Sequence, residues 1–149
     1  MNDIKPVLLE AFEKECKNIM GNTLNMYQRL ATGTAVYPGQ GTALGLVYVA
    51  LKGAGEAGEF AEHVGKAMRD DGFAGEETPC QDMELQSRAH QLTPERRALL
   101  IKEIGDELWY LAAKCNELDI TLSEAALINV KKLRDRQERG TLRGSGDNR

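Results

Sequence analysis

Glu56 and Glu59 stand three residues apart in "GAGEAGEFAEHVGK", and Glu103 and Asp106 stand three apart in "EIGDELWYLAA". On a helix, residues at i and i+3 share a face with their β-carbons about 5–6 Å apart, so each pair can turn its carboxylates to a common point. Two facing pairs would enclose a cage of four carboxylates. Such a cluster repels itself and resists desolvation unless a cation neutralises it. All-oxygen ligation suits a hard divalent ion, Mg²⁺ or Mn²⁺, rather than zinc.

The surroundings of the pairs favour a cleft between helices. At about 100° per residue, Asp106 lies opposite the Ile104–Leu108–Leu111 stripe and is flanked by Trp109 and Ala113, which predicts that it does not face open water. Glu56 lies beside the Phe60–Val64 arc. The competing reading is a solvated acidic face on which these spacings are incidental. A ferritin-like di-iron centre requires Glu-x-x-His from each of two helices, and neither His63 nor His90 has a glutamate three residues before it. His63 reads as a helix-face partner of Glu59 or Glu62.

Groups able to meet phosphate are also present. Asn129, Lys132 and Arg136 recur at three and four residues on one face, and Lys66 follows Glu59 by seven on the same stripe. Lysine offers phosphate a point charge and arginine a fork of donors. On its own, "KKLRDRQER" is a solvated helix end favoured by the dipole; beside a carboxylate-bound cation it becomes a phosphate contact.

Helices must position these groups. Ile101, Ile104, Leu108, Leu111, Cys115 and Leu118 follow the helical period, with Thr93 as cap and Pro94 at the first position, which predicts a helix over about 94–118. Thr121 and Glu124 have capping-box spacing and Gly140 can end the run, predicting a helix over about 122–139. A long helix carries Leu46, Val47, Val49, Ala50, Phe60, Ala61, Val64 and Met68 and ends before Gly72. Its glycines at 53, 55, 58 and 65 each cost up to about 1 kcal/mol in a helix interior, so close packing against neighbouring helices is expected to offset them. Shorter helices are expected at about 4–20 and, opened by Thr23, at 23–32. Residues 70–91 show no sustained apolar period and read as a long surface loop, and the tail 140–149 reads as flexible. No strand pattern is present, so the class is all-α, a helical bundle in a single domain over 1–149.

Composition excludes several functions. The net charge of −4 offers no global positive field for a nucleic-acid polymer. No segment has about 18 consecutive apolar residues, and the N-terminus lacks a secretory pattern, which predicts a cytoplasmic protein that does not engage a membrane. Cys16, Cys80 and Cys115 are odd in number without a CxxC, suggesting structural thiols rather than disulfides or a zinc site.

"GEAGE" at 55–59, "EIGDELWYLAA" at 103–113, "NVKKL" at 129–133 and the closing "RGTLRGSGDNR" together resemble the MazG-like all-α nucleotide pyrophosphohydrolases, whose magnesium motif is ExxE…ExxD. "TLNMYQRLATGTAVYP" at 23–38 is similar to the N-terminal segment of small stand-alone members, so the resemblance spans roughly 23–149. It implies that Glu56, Glu59, Glu103 and Asp106 hold Mg²⁺, with Mn²⁺ as a substitute, and that the ion grips a nucleoside triphosphate. Asn129 and Lys132 match substrate-contacting positions of the family, and Tyr27, Gln28 and Trp109 are candidates for the base or sugar. The implied reaction is hydrolysis of the α–β phosphoanhydride to monophosphate and pyrophosphate, with Glu59 or Glu62 as general base, in a homodimer or homotetramer. The distance from Glu59 to Glu103 is long for the family, owing to 70–91. A different class also fits: a non-catalytic helical protein that binds a nucleotide or alarmone, or serves in assembly.

Overall fold

The computed structural model describes residues 14, 23–71, 73 and 92–141. The helix expected at 4–20, apart from Lys14, most of the 70–91 loop and the tail from 142 lie outside these residues, as do Cys16, Cys80 and His90. Four helices make up the described chain, which is all-α: α1 over 23–32, α2 over Ala43–Asp70, α3 over Pro94–Glu117 and α4 over Leu122–Glu138. Among the described residues no helix is long and apolar enough to cross a membrane.

Local chemistry sets the helix ends. Thr93 accepts from the Arg96 N–H at 3.1 Å with Pro94 at the first position of α3, and Thr121 and Glu124 form the reciprocal capping box of α4. Between them Asp119 takes a left-handed conformation (φ 52°), and the Ile120 N–H returns to the Cys115 carbonyl at 3.0 Å, so α3 closes and α4 starts within a few residues.

Helices α2 and α3 form an antiparallel hairpin. A Cβ on Gly45 would meet Glu117 and one on Gly53 would meet Tyr110 and Lys114, His63 faces Glu103, and Asp71 pairs with Arg96; positions rising along α2 meet positions falling along α3. The Asp71 carboxylate takes two bonds from the Arg96 guanidinium, at 2.8 and 3.3 Å. That pair joins the C-terminal end of α2 to the first turn of α3.

Glycine earns its place at two contacts of this hairpin. A Cβ at Gly53 would lie 2.8 Å from Lys114 Nζ and 3.0 Å from Tyr110 Cβ, and at Gly45 it would run into the Gly39 carbonyl. The expected close packing against neighbouring helices is present at Gly53 but, among the described residues of this chain, absent at Gly55, Gly58 and Gly65, where an added Cβ meets nothing within 4 Å. They lie away from the face of Val49, Gly53 and Ala67 that α3 covers.

A second packing centre joins α1 to the α3–α4 turn. Ala112, Cys115 and Leu122 are buried against Leu24, Tyr27, Leu108, Ile120 and Ala125. Gln28, 7% exposed, donates to Asn116 Oδ1 at 2.7 Å and to the Ile120 carbonyl at 3.1 Å, and accepts from the Leu122 N–H at 2.6 Å. The apolar stripe that identifies α3 is only partly inside: Leu108 and Cys115 are covered, whereas Ile101, Ile104, Leu111 and Leu118 are 48–54% exposed. The period specifies a helix, but the neighbours available choose the buried face, and here α2 takes the face bearing Glu103, Tyr110 and Lys114.

Candidate metal centre

The hairpin brings three of the four predicted ligands together. Glu56 on α2 and Glu103 and Asp106 on α3 each offer a carboxylate oxygen, and these oxygens lie within 4.8 Å of one another. Glu103 is buried at 8% exposure, Glu56 is half-buried and Asp106 is exposed; Asp106 therefore reaches solvent in the single chain, contrary to the helical-wheel expectation. Burial raises the Glu56 carboxyl above its ordinary value, and repulsion from Glu59, Asp106 and Glu103 adds to this while Lys52 opposes it. A partly desolvated acidic cluster of this kind fits a hard cation held through oxygen.

Glu59 is exposed and stands outside the trio, though close enough to repel Glu56. Glu62 is also outside it. Its carboxylate bonds Lys66 Nζ at 2.6 Å one turn later on the outer side of α2, and that bond lowers its proton affinity. Lys66 is therefore occupied by Glu62 in this state. Asn129 and Lys132 sit on the exposed part of α4, a helix that leans on α3 and makes no contact with α2 among the described residues. Within one chain they are not gathered around the acids.

Sequence reasoning missed Tyr110 and Lys52 as neighbours of the acids, named Tyr27 only as a base or sugar contact, and gave His63 other partners. Tyr110, four residues after Asp106, has its hydroxyl pKa raised by burial, with Glu56, Tyr48 and Asp106 adding to the effect. Tyr27 is likewise raised by burial and then by Asp106. Lys52 precedes Glu56 by four and His63 follows it by seven, spacings that place both on the stripe of Glu56. His63 does not pair with Glu59 or Glu62 as expected: its Nε2 lies 3.7 Å from Glu103 Oε1, because α2 turns this edge toward α3.

An aromatic wall continues along α3 from the acids. Trp109 and Tyr110 meet edge to face at 4.9 Å, Tyr37 meets Trp109 edge to face at 6.1 Å, and Tyr37 stacks on Tyr48 at 5.5 Å. The Trp109 indole N–H is taken by the Ala31 carbonyl at 2.9 Å and Thr34 Oγ1 at 3.1 Å, leaving its ring as the contact surface. Glu117 holds the loop before α2, accepting from the Tyr37 hydroxyl at 2.6 Å and the Gly41 N–H at 3.0 Å. The Gln28 amide is engaged by Asn116, Ile120 and Leu122 of the fold. A cleft of about 660 Å³ between α1 and the α3–α4 turn, lined in part by Asn25, Arg29, Thr32 and Asp119, contains none of the carboxylates of the trio.

The comparisons agree with this architecture. Residues 50–141 match the model of the MazG nucleotide pyrophosphohydrolase domain, a span that contains both acidic pairs. "Gene 37 protein" of Mycobacterium phage L5 is 40% identical over 130 residues, covering 85% of this chain and 98% of its own length. No solved structure matches significantly. With more than half of its length matched by the domain and both acidic pairs inside the match, the chain belongs to the MazG nucleotide pyrophosphohydrolase domain family.

Proposed function

We propose that this protein is a Mg²⁺-dependent pyrophosphohydrolase that cleaves the α–β phosphoanhydride of nucleoside triphosphates, releasing a monophosphate and pyrophosphate. The observation that carries the reading is the convergence of Glu56, Glu103 and Asp106 from two antiparallel helices, with ligand atoms within 4.8 Å. These three residues would hold the cation, and Mn²⁺ satisfies the same oxygen donors. When bound, the cation neutralises phosphate charge and makes a bound water more acidic.

Glu59 is the better general base of the two candidates. It lies next to Glu56 on the acidic side of α2, whereas Glu62 is held by Lys66 and binds a proton less readily. The Glu59 carboxylate would take the proton of the attacking water as the α–β bridging bond breaks. Tyr110 and Trp109 offer ring surface for the base beside the acids. Lys66 on release from Glu62, and Asn129 and Lys132 from a neighbouring subunit, would contact the phosphates. The exposed Leu44, Val47 and Leu51 on α2 and Ile101, Ile104 and Leu111 on α3 support a homodimer or homotetramer.

The test is incubation with Mg²⁺ and each nucleoside triphosphate, followed by anion-exchange analysis. Monophosphate plus pyrophosphate is expected, and Glu103→Gln or Asp106→Asn should reduce turnover at least ~100-fold with the helical circular dichroism intact. Diphosphate plus phosphate would refute the bond assignment. Nucleotide-dependent thermal stabilisation with no product at all would favour a binding protein instead.

A further inference from the structure

Glu103 is the least exposed carboxylate of the trio, and His63 faces it across the hairpin. We propose that His63 is a positioning residue for the metal centre: its Nε2 faces Glu103 Oε1 at ion-pair distance and, with the proton on that nitrogen, attracts the carboxylate and holds it turned toward Glu56 and Asp106. The inference rests on the cation-binding reading given above.

The imidazole environment supports one tautomer. Nε2 lies 3.7 Å from Glu103 Oε1, about half an ångström beyond hydrogen-bond length, and Nδ1 is buried with no hydrogen-bond partner among the described residues. If the proton sat on Nδ1, a donor would be buried unpaired and a nitrogen lone pair would face a carboxylate. With the proton on Nε2, the donor meets the acceptor and only a lone pair is left without a partner, which costs less than an orphaned N–H. A carboxylate that gives one oxygen to a cation needs a donor on the other to keep its orientation, and loss of such an outer partner weakens metal affinity. His63 occupies that place because it follows Glu56 by two helical turns on the same face, opposite Glu103 in the hairpin.

The test is calorimetric titration of the full-length protein with Mg²⁺ alone. His63→Leu should weaken binding by about 10–100-fold, while His63→Gln, which keeps an N–H near the Nε2 position, should stay within about threefold of wild type. Equal affinities in wild type and both variants would overturn the positioning role alone, whereas a wild type that takes up no Mg²⁺ would overturn the metal-site reading itself. Should His63→Leu fail to fold, ¹⁵N imidazole spectra of the wild-type protein decide the matter, with a His90→Gln variant to assign the signals. A proton on Nε2 of His63 is expected, and an Nδ1–H tautomer would overturn the inference.

Discussion

Glu56→Gln should stabilise the metal-free protein while destroying its response to Mg²⁺. The Glu56 oxygen lies within 4.8 Å of oxygens from Glu103 and Asp106. At that separation two unit charges repel by roughly 3.5 kcal/mol at an effective dielectric of 20 and by roughly 0.9 kcal/mol in water. Glu56 is half-buried, Asp106 is exposed and Lys52 offsets part of the repulsion, so the lower end applies, about 1–2 kcal/mol in all. For a chain of this size that is about 2–8 °C in melting temperature. The sign follows from the raised Glu56 pKa. Burial first and repulsion second disfavour the ionised form, and protonated Glu56 carries neither cost, so the penalty is absent below its ordinary value near 4.5 and grows as pH rises through the higher folded value. The advantage of Glu56→Gln should therefore open over that range, be full at about pH 7.5, and shrink with added salt. Mg²⁺ should reverse the order, raising the wild-type midpoint by mass action and leaving the variant unmoved. Thermal unfolding by circular dichroism across pH, with chelator or with Mg²⁺, reads all of this. A metal-free variant that melts at or below wild type near pH 7.5 would refute the repulsive-cluster argument.

Three further outcomes are expected. Tyr37→Phe removes the 2.6 Å bond to Glu117 and should cost about 2 kcal/mol; with the wild-type hydroxyl pushed up to about 12, this contribution is full below pH 10 and fades as pH rises toward 12, which paired melts will show. Gln28→Leu leaves the Ile120 carbonyl and the Leu122 N–H without their partner and should lower stability by about 2–4 kcal/mol with the Michaelis constant for nucleotide unchanged; a raised Michaelis constant with unaltered stability would reinstate Gln28 as a substrate contact. Leu51→Glu, at a position 69% exposed in the single chain, should reduce the mass in solution measured by light scattering while retaining helical circular dichroism.

The helices were legible because their signals are local. Thr93–Pro94 and the Thr121–Glu124 box depend only on neighbouring residues, and the structure places those ends within a residue of expectation. The acidic pairs were legible for the same reason, since i and i+3 fix a shared face wherever the helix goes. What local spacing could not reveal was the facing partner. Glu59 has the same separation from Glu56 as Asp106 from Glu103, yet only the latter pair lies wholly in the trio, because rotation of α2 against α3 points Glu56 and His63 inward and turns Glu59 aside.

The sequence by itself therefore determined an all-α chain, its helix ends and the residues able to bind a cation, all consequences of periodicity and side-chain chemistry within a few turns. Only the tertiary structure decided that Glu103 is the buried ligand, that His63 faces it rather than Glu59 or Glu62, and that Gln28 belongs to the fold. These depend on which helical faces meet. That choice is made by close approaches such as Gly53 against Tyr110 and Lys114 and by the Asp71–Arg96 tie across a long excursion, contacts between residues far apart in the chain.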